Sequence, residues 1–117
     1  MFAVDHYTTG SGRDFVSDYI REVSKKYGDK DVFSIRAAIV FLKKHGFEAN
    51  RYKRQLIKKI EGDLYELRPG NNRIFFFYFD GKKFVLLHGF RKKTQKTPQH
   101  EIETAMKQMD DYIRRNR

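Results

Sequence analysis

The residues of this sequence best suited to chemistry are arginines at or beside the ends of apolar segments. Arg68, Arg73 and Arg91 occupy such positions in the second half of the chain, and Lys93 lies in the basic run Arg91–Lys96. A guanidinium group binds phosphate through paired hydrogen bonds, and nearby aromatic rings can stack on bases. We therefore predict that the three arginines and the loop lysines converge at one end of a sheet. The alternative is that they are strand-end cations that keep the sheet edges soluble.

Groups for proton transfer or metal binding are few. His88 lies inside an apolar segment, so a hydrogen-bonded core histidine is a better interpretation than a catalytic one. The other three histidines lack metal-ligand spacing, and the chain has no cysteine. Cationic neighbours argue against a magnesium site at Asp63 and Glu66, and no Walker pattern or Ser/His/Asp set is present. We predict no metal and no cofactor, with charge stabilised by arginines instead.

Two stretches carry the whole excess of positive charge, which is +10 for the chain. Lys43–Lys59 has seven basic residues against the single acid Glu48, and Lys82–Lys96 has six basic residues and no acid. This concentration is expected of a domain that binds a polyanion such as RNA or DNA. Solvated surface charge that meets an acidic partner is the alternative.

Length and composition indicate one folded domain over residues 1–117. The chain has no internal repeat or Gly/Ser linker, and its 11 Phe and 7 Tyr supply a core, which excludes wholesale disorder. The absence of cysteine excludes disulfides and thiolate catalysis. No apolar run approaches the ~18 residues of a membrane span, and no signal-peptide pattern is present. The expectation is a cytoplasmic protein without a membrane partner.

The first half of the chain reads as one strand and two helices. Alternation predicts a strand over Met1–Tyr7, and apolar spacing predicts helices over Asp14–Lys26 and Asp31–His45. Gly46 is a natural stop for the second helix. The polar, basic segment Phe47–Lys59 has weak periodicity, and we interpret it as a loop or a frayed helix.

The second half changes to aromatic and branched segments typical of strands. We predict strands over Ile60–Arg68, Arg73–Phe79 and Phe84–Arg91. Pro69–Asn72 forms the first connection, and Asp80-Gly81 is a strong hairpin signal. The middle strand is apolar on both faces, so it should be central and covered on both sides.

A helix should close the chain, with Thr97 as its N-cap, Pro98 at its first position and one apolar stripe between Ile102 and Ile113. The predicted fold class is α+β in the order β-α-α-β-β-β-α, with a small antiparallel sheet and the helices packed on one side. Strand alternation places Arg68 on the open face and Arg73 on the face of Phe75 and Phe77.

Three segments closely resemble the RelE/ParE superfamily of toxins, and the phage-derived HigB-type branch is the nearest. They are Lys59–Arg68, Asn72–Tyr78 and Leu86–Pro98, followed by Glu101–Glu103, and the likeness is dense from Lys58 to Ile113. The resemblance implies a RelE-like fold and a toxin of a type II toxin–antitoxin pair. Most such toxins cut mRNA on the ribosome without a metal, by attack of the ribose 2′-OH on the adjacent phosphate. It also implies a cognate antitoxin with a DNA-binding helix-turn-helix, through which alone the pair binds operator DNA.

The resemblance assigns roles to the arginines. Arg73 matches the family's key strand arginine, Arg91 its loop arginine and Arg68 a further basic strand position, while Lys93 lies in the adjacent basic loop. The basic residues implied to bind ribosomal RNA are Lys43, Lys44, Arg51, Lys53, Arg54, Lys58, Lys59, Lys92 and Lys96.

The sequence departs from the RelE type where that type has its proton-transfer groups. Leu64 and Glu66 replace strand lysines, and Thr97 lies near the position of a tyrosine. His88, Tyr78 or Lys93 could substitute, or the ribosome could position the reactants so well that little acid–base help is needed. Two other functions stay open: a ParE-like gyrase inhibitor, against which the closely spaced arginines argue, and a non-catalytic basic nucleic-acid-binding module.

Overall fold

The computed structural model describes residues 1–117 and contains five strands and three α-helices. In chain order these are β1 (Ala3–His6), α1 (Phe15–Tyr27), α2 (Asp29–His45), a 3₁₀ helix (Gly46–Arg51), β2 (Ile57–Glu61), β3 (Leu64–Leu67), β4 (Asn72–Phe79), β5 (Lys83–Arg91) and α3 (Gln99–Arg115). The strands form one sheet in the order β1-β5-β4-β3-β2. The α+β class is confirmed, with one strand more than the sequence predicted.

The additional strand comes from a hairpin within the segment predicted as one strand over residues 60–68. β2 pairs antiparallel with β3, with Ile57 opposite Leu67 and Lys59 opposite Tyr65. Gly62 has a φ of 53°, a left-handed conformation that suits glycine and turns the chain back. Part of the basic segment read as a loop is therefore an edge strand.

The prediction of an antiparallel sheet is wrong at one edge. β1 pairs parallel with β5, with Ala3 opposite Lys83 and His6 opposite Leu86. Alternation along a strand reports which side chains share a face, but it carries no information on the direction of a distant partner. The sheet is therefore mixed.

The helices cover both faces of the sheet, so the prediction of helices on one side is also wrong. α1 and α2 pack with Ile74, Phe76 and Leu86 in one core, whereas α3 packs on the opposite face against Phe75 and Phe77 in a second core. A strand that is apolar on both faces needs cover on both sides. The prediction that β4 is central and doubly covered is confirmed.

Two helix ends follow the sequence signals and one does not. Asp14 caps α1 by accepting the Ser17 amide, and α2 ends at Gly46, where a Cβ would lie 2.7 Å from the Phe2 ring. α3 begins after Pro98 without a side-chain cap. Thr97 was predicted as that cap, but its hydroxyl donates to Glu66 instead. No helix is both long enough and apolar enough to cross a membrane.

Candidate functional site

A buried carboxylate joins two of the predicted site arginines on the α3 face of the sheet. Glu66 Oε1 lies 3.4 Å from Arg68 Nε and 3.6 Å from Arg73 Nε, and the Glu66 side chain is 1% exposed. The register of β3 and β4, with Leu67 opposite Ile74, places Arg68 beside Arg73. We call Glu66, Arg68 and Arg73 the arginine cluster. The prediction that Arg68 lies on an open face is wrong, because α3 covers this face of the sheet and the Arg68 side chain is only 22% exposed.

Arg73 is held rigidly, with one nitrogen free. Its Nη1 donates to the carbonyl oxygens of Gly70 and Asn72 at 2.8 and 2.9 Å. Its Nη2 has no hydrogen-bond partner in the protein. Every buried side-chain nitrogen in this structure does have a partner, so Nη2 is in contact with solvent. Burial and the neighbouring Arg68 lower the pKa of Arg73 from its ordinary value, while Glu66 opposes that shift. The side chain is therefore preoriented for an anionic ligand and desolvated enough to favour one.

The loop between β5 and α3, residues 92–98, closes over the arginine cluster. The Thr97 hydroxyl donates to Glu66 Oε2 at 3.0 Å, and the Lys92 amide donates to the Asn71 carbonyl at 2.8 Å. The space left between the loop and the cluster is about 10 Å³, enough for about one water molecule. The loop therefore covers most of the space above Arg68 and Arg73 in this structure.

Arg91 lies on the opposite face of the sheet, so the prediction that it converges with Arg68 and Arg73 is wrong. Its Nη1 donates to Asp31 of α2 and lies 3.4 Å from Asn72 Oδ1. Its guanidinium carbon lies 3.9 Å from the centre of the Tyr27 ring. Arg91 therefore joins the α1–α2 layer to the end of the sheet.

A β-bulge explains this position of Arg91. From the hairpin turn the register pairs Phe76 with Leu86, but after the bulge it pairs Ile74 with Gly89 and Asn72 with Arg91. One extra residue on β5 moves every later side chain to the other face. Without the bulge, Arg91 would lie opposite Asn71 and share the face of Arg73. Gly89, which pairs with Ile74 directly after the bulge, is the local signal that could have indicated it, since an isolated glycine within a strand often marks a bulge.

An open groove lies on the other side of the same loop, between α1 and the start of α3. Its volume is about 370 Å³, and Tyr27, Arg91, Lys93 and His100 are among its lining residues. Lys93 lines both this groove and the small space above the arginine cluster. The structure therefore brings Lys93 next to both regions, although Arg91 and Arg73 do not meet.

Two acidic residues to which the sequence analysis assigned no positioning role organise these regions. Glu66 holds the arginine cluster, and Glu101 Oε1 lies 3.0 Å from Nε2 of His88, whose Nδ1 is 2.8 Å from Gln108 Oε1. His88 is thus a hydrogen-bonded core histidine, as predicted. Glu101 also lies 3.6 Å from the exposed His100. The signal that could have indicated a buried role for Glu66 is its position as the one charged residue within the apolar strand β3. No three His, Asp or Glu side chains lie close enough to hold a metal ion.

The remaining predicted basic residues lie on outer surfaces. Those exposed to solvent are Lys43 and Lys44 at the end of α2, Arg51 in the 3₁₀ helix, Lys53 and Arg54 in the following turn, Lys58 and Lys59 on the edge strand β2, and Lys96 in the loop. Lys92 is half-buried. Lys58 pairs with Glu66 in register and so shares the face of the arginine cluster.

The chain matches known proteins across this whole region. Residues 18–110 match the family described as phage derived protein Gp49-like (DUF891). The chain is also 40% identical over 90 residues to a protein named "Probable endoribonuclease HigB1" from Mycobacterium tuberculosis, in strains CDC 1551 and H37Rv. That alignment covers 74% of this chain and 70% of the relative. The family match includes the arginine cluster, the 92–98 loop and the groove.

Proposed function

This chain belongs to the phage-derived Gp49-like family and is a HigB-type toxin of a toxin–antitoxin system with endoribonuclease activity; on that premise, we propose that it cuts mRNA on the ribosome without a metal ion. The cut is made by the ribose 2′-oxygen. It bonds to the adjacent phosphorus while the bond from phosphorus to the 5′-oxygen breaks. The products are a 2′,3′-cyclic phosphate and a free 5′-hydroxyl. The 2′-OH proton is lost and the leaving 5′-oxygen gains one, so the reaction needs no oxidant and no added water.

The free Nη2 of Arg73, held beside Arg68 by the buried Glu66, is the observation that carries this proposal. The pentacoordinate transition state carries more negative charge on its non-bridging oxygens than the ground state does. Donors fixed in advance stabilise that charge without reorganisation, and one such donor contributes about 3 kcal/mol, or a factor of ~100 or more. Arg73 is the principal donor in this proposal and Arg68 the second.

In this proposal the 92–98 loop opens to admit the substrate, since it leaves only about 10 Å³ above the arginine cluster. Opening breaks the hydrogen bond from Thr97 to Glu66. Lys93 then meets the RNA backbone between the cluster and the groove. Arg91 contacts the RNA from the groove side, on the opposite face from Arg73. In this arrangement the RNA strand passes across the loop rather than ending at it.

The exposed basic residues bind ribosomal RNA in this proposal. Most of them lie on the end of α2, the turn after it and the edge strand β2, whereas Lys58, Lys92 and Lys96 lie beside the arginine cluster. Contacts to phosphate of this kind position a protein and weaken as salt rises. Ribosome binding places the protein's action in the cytoplasm, and operator DNA is reached only through the helix-turn-helix of the antitoxin.

The test is to add the purified protein to a translation extract and to map mRNA 5′ ends by primer extension. Wild type, Arg73→Ala and Arg114→Ala are compared, since Arg114 is an exposed arginine remote from the site, and circular dichroism checks that each variant is folded. The expected cuts are in register with codons, require ribosomes, carry 5′-hydroxyl ends and disappear only in Arg73→Ala.

Other results would replace this proposal. Cutting of naked RNA would keep the nuclease and remove the ribosome from the proposal. Intact mRNA together with inhibited DNA supercoiling would favour the gyrase inhibitor. Binding of nucleic acid without cleavage or growth arrest would favour the non-catalytic module.

A further inference from the structure

Three aromatic rings are arranged in a row at the C-terminal end of α2. The ring centroids of His45 and Tyr52 are 4.1 Å apart at an interplanar angle of 27°, and those of Phe41 and His45 are 5.4 Å apart. Phe41 packs against the core beneath α1 and α2, whereas Tyr52 is 66% exposed. We call Phe41, His45 and Tyr52 the ring stack. One end of the ring stack is anchored in the protein, and the other end is open to solvent.

Positive charge surrounds the open end of the ring stack. The exposed cations next to it in the chain are Lys43, Lys44, Arg51, Lys53 and Arg54. Only Arg51 among them forms an ion pair, with Glu48, and Glu48 is the one acidic residue between positions 43 and 59. The surface therefore combines a flat aromatic ring with cations that have no partner in the protein.

This combination favours an unpaired nucleobase as the occupant. Every base has a π-face that stacks on an aromatic side chain, and the phosphates on either side of the base can meet lysine and arginine. A duplex would use only the cations, because its bases are already stacked on one another. A second copy of the chain would bring two net charges of +10 together. An unpaired base within a single strand uses both features of the surface.

The ring stack lies far from the place where RNA is cut. α2 begins beside Arg91, which is bound to Asp31, and it ends beside the start of β1, where the Phe2 amide donates to the Lys43 carbonyl. From Asp31 to His45 the helix rises about 21 Å. α2 also packs on the face of the sheet opposite that of Arg73. A base on the ring stack is therefore not part of the dinucleotide that reacts.

We infer that the ring stack binds an unpaired base of ribosomal RNA, with Tyr52 as the stacking surface. The inference rests on the function proposed above, since that function brings the protein onto the ribosome. Contacts from lysine and arginine to phosphate weaken as salt rises and do not distinguish one stretch of RNA from another. Stacking on Tyr52 adds affinity that salt does not screen, and it requires a base that is not paired. The ring stack thus selects where on the ribosome the protein binds.

The first test measures binding of the full-length protein to fluorescein-labelled oligonucleotides by fluorescence anisotropy, at several NaCl concentrations. One probe is 2′-O-methyl octaadenylate, which has no free 2′-OH and so cannot be cut. The other is an abasic octamer with the same number of phosphates. Tyr52→Ala removes the stacking ring and Tyr52→Phe keeps it. Phe33→Ala is the matched control, since Phe33 is a 74% exposed aromatic residue outside the ring stack.

Tyr52→Ala should bind octaadenylate more weakly than wild type by about fivefold or more, the effect of losing one stacked base. Its affinity for the abasic octamer and the dependence of its affinity on salt should stay as in wild type. Tyr52→Phe and Phe33→Ala should bind both probes as wild type does. Lys53→Ala should instead reduce the slope of log affinity against log salt by about 0.7, since it removes one phosphate contact.

The second test is cosedimentation with ribosomes that carry no mRNA. Tyr52→Ala should again bind about fivefold more weakly, and Phe33→Ala should bind as wild type does. A loss that appears only when mRNA is present would assign the ring stack to mRNA. Weaker binding of the antitoxin with unchanged binding of RNA would assign it to the antitoxin.

Two further results decide against the inference. Unchanged affinity of Tyr52→Ala for octaadenylate would overturn it directly. Equal losses for octaadenylate and the abasic octamer would mean that Tyr52 only supports the neighbouring cations. If wild type does not cut mRNA, the function proposed above fails. The binding measurements use a probe that cannot be cut, so they still decide whether the ring stack holds a base.

Discussion

Arg73 and Arg91 lie on neighbouring strands at the same end of the sheet, and their side chains project to opposite faces. β4 and β5 pair Arg73 with Phe90 and Asn72 with Arg91, so the two arginines are out of phase by one residue. Arg73 lies beside the buried carboxylate of Glu66 beneath a loop, whereas Arg91 contacts Asp31 of α2 and the Tyr27 ring. Substitutions at these positions should therefore fail in different ways.

Arg91→Ala should destabilise the fold. It removes a charged hydrogen bond to Asp31 and the stacking on Tyr27, and hydrogen bonds to charged groups contribute about 1.5–3 kcal/mol. We expect the free energy of unfolding in urea to fall by that amount. Arg36→Ala changes an exposed residue of α2, the helix that carries Asp31, and should leave the free energy of unfolding unchanged. Full stability in Arg91→Ala together with lost cleavage would show that Arg91 acts only on substrate.

Thr97→Val should release the loop over the arginine cluster while the rest of the protein stays folded. The change removes the donor to the Glu66 carboxylate at nearly constant volume, and a hydrogen bond to a charged group contributes about 1.5–3 kcal/mol. Amide hydrogen exchange in residues 92–97 should become faster, while exchange in β4 stays slow. Thr97→Ser keeps the hydroxyl and serves as the control. Unchanged exchange in the valine variant would mean that the loop is held by other contacts.

Asp14→Ala should destabilise α1 by about 1 kcal/mol through loss of its N-cap. Asp14→Asn should lose less, because asparagine also caps well. Burial raises the pKa of the Asp14 carboxyl, but its hydrogen bonds from Ser17 and His6 outweigh this effect and lower the pKa overall. The contribution is therefore complete above the unfolded pKa, about 3.9, and is lost as pH falls through the folded value.

Urea unfolding between pH 2.5 and 6 measures this effect of pH. The difference in stability between wild type and Asp14→Asn should shrink as the solution becomes more acidic. Asp5 and Asp111, whose pKa values are also lowered, are present in both proteins and cancel in the comparison. A difference that is constant with pH would contradict the assignment.

Tyr19 should make the protein sensitive to alkali. Burial raises the pKa of its phenol, which donates to Asn72 Oδ1 at 2.6 Å. A raised pKa leaves stability unaffected below the unfolded value, about 10, and stability falls as pH rises beyond it, by up to about 1.4 kcal/mol per pH unit. Tyr19→Phe should be less stable at pH 8 by about 1 kcal/mol. It should then lose stability more slowly than wild type between pH 9.5 and 11.5. Parallel curves would contradict the prediction.

Sequence patterns predicted those parts of the fold that depend on neighbouring residues. The stop of α2 at Gly46, the hairpin at Asp80-Gly81 and the doubly covered β4 are all local in this sense, and all three are confirmed. The placement of Arg73 on the face of Phe75 and Phe77 also followed, because alternation holds within a single strand.

The rest depends on contacts between distant parts of the chain. The bulge in β5 reverses the face of Arg91, and although Gly89 indicates that a bulge is possible, the sequence does not say that the register shifts there. The parallel pairing of β1 with β5 and the hydrogen bond from Thr97 to Glu66 likewise join segments far apart in sequence. The turn at Gly62 is different, because Gly62-Asp63 is a local turn signal that the sequence contains and the prediction of one strand over residues 60–68 missed.

The pairing of β1 with β5 also sets the order in which the molecule can be completed during synthesis. β1 is made first, but its only partner strand begins at Lys83, and α3, which covers the second core, is made later still. Non-local pairings of this kind form late, since loop closure must precede them. A nascent chain therefore has an open sheet edge until β5 is made, and the second core stays uncovered until α3 is made. The arginine cluster lies on that second face, so its cover is added only after all of its own residues have been synthesised.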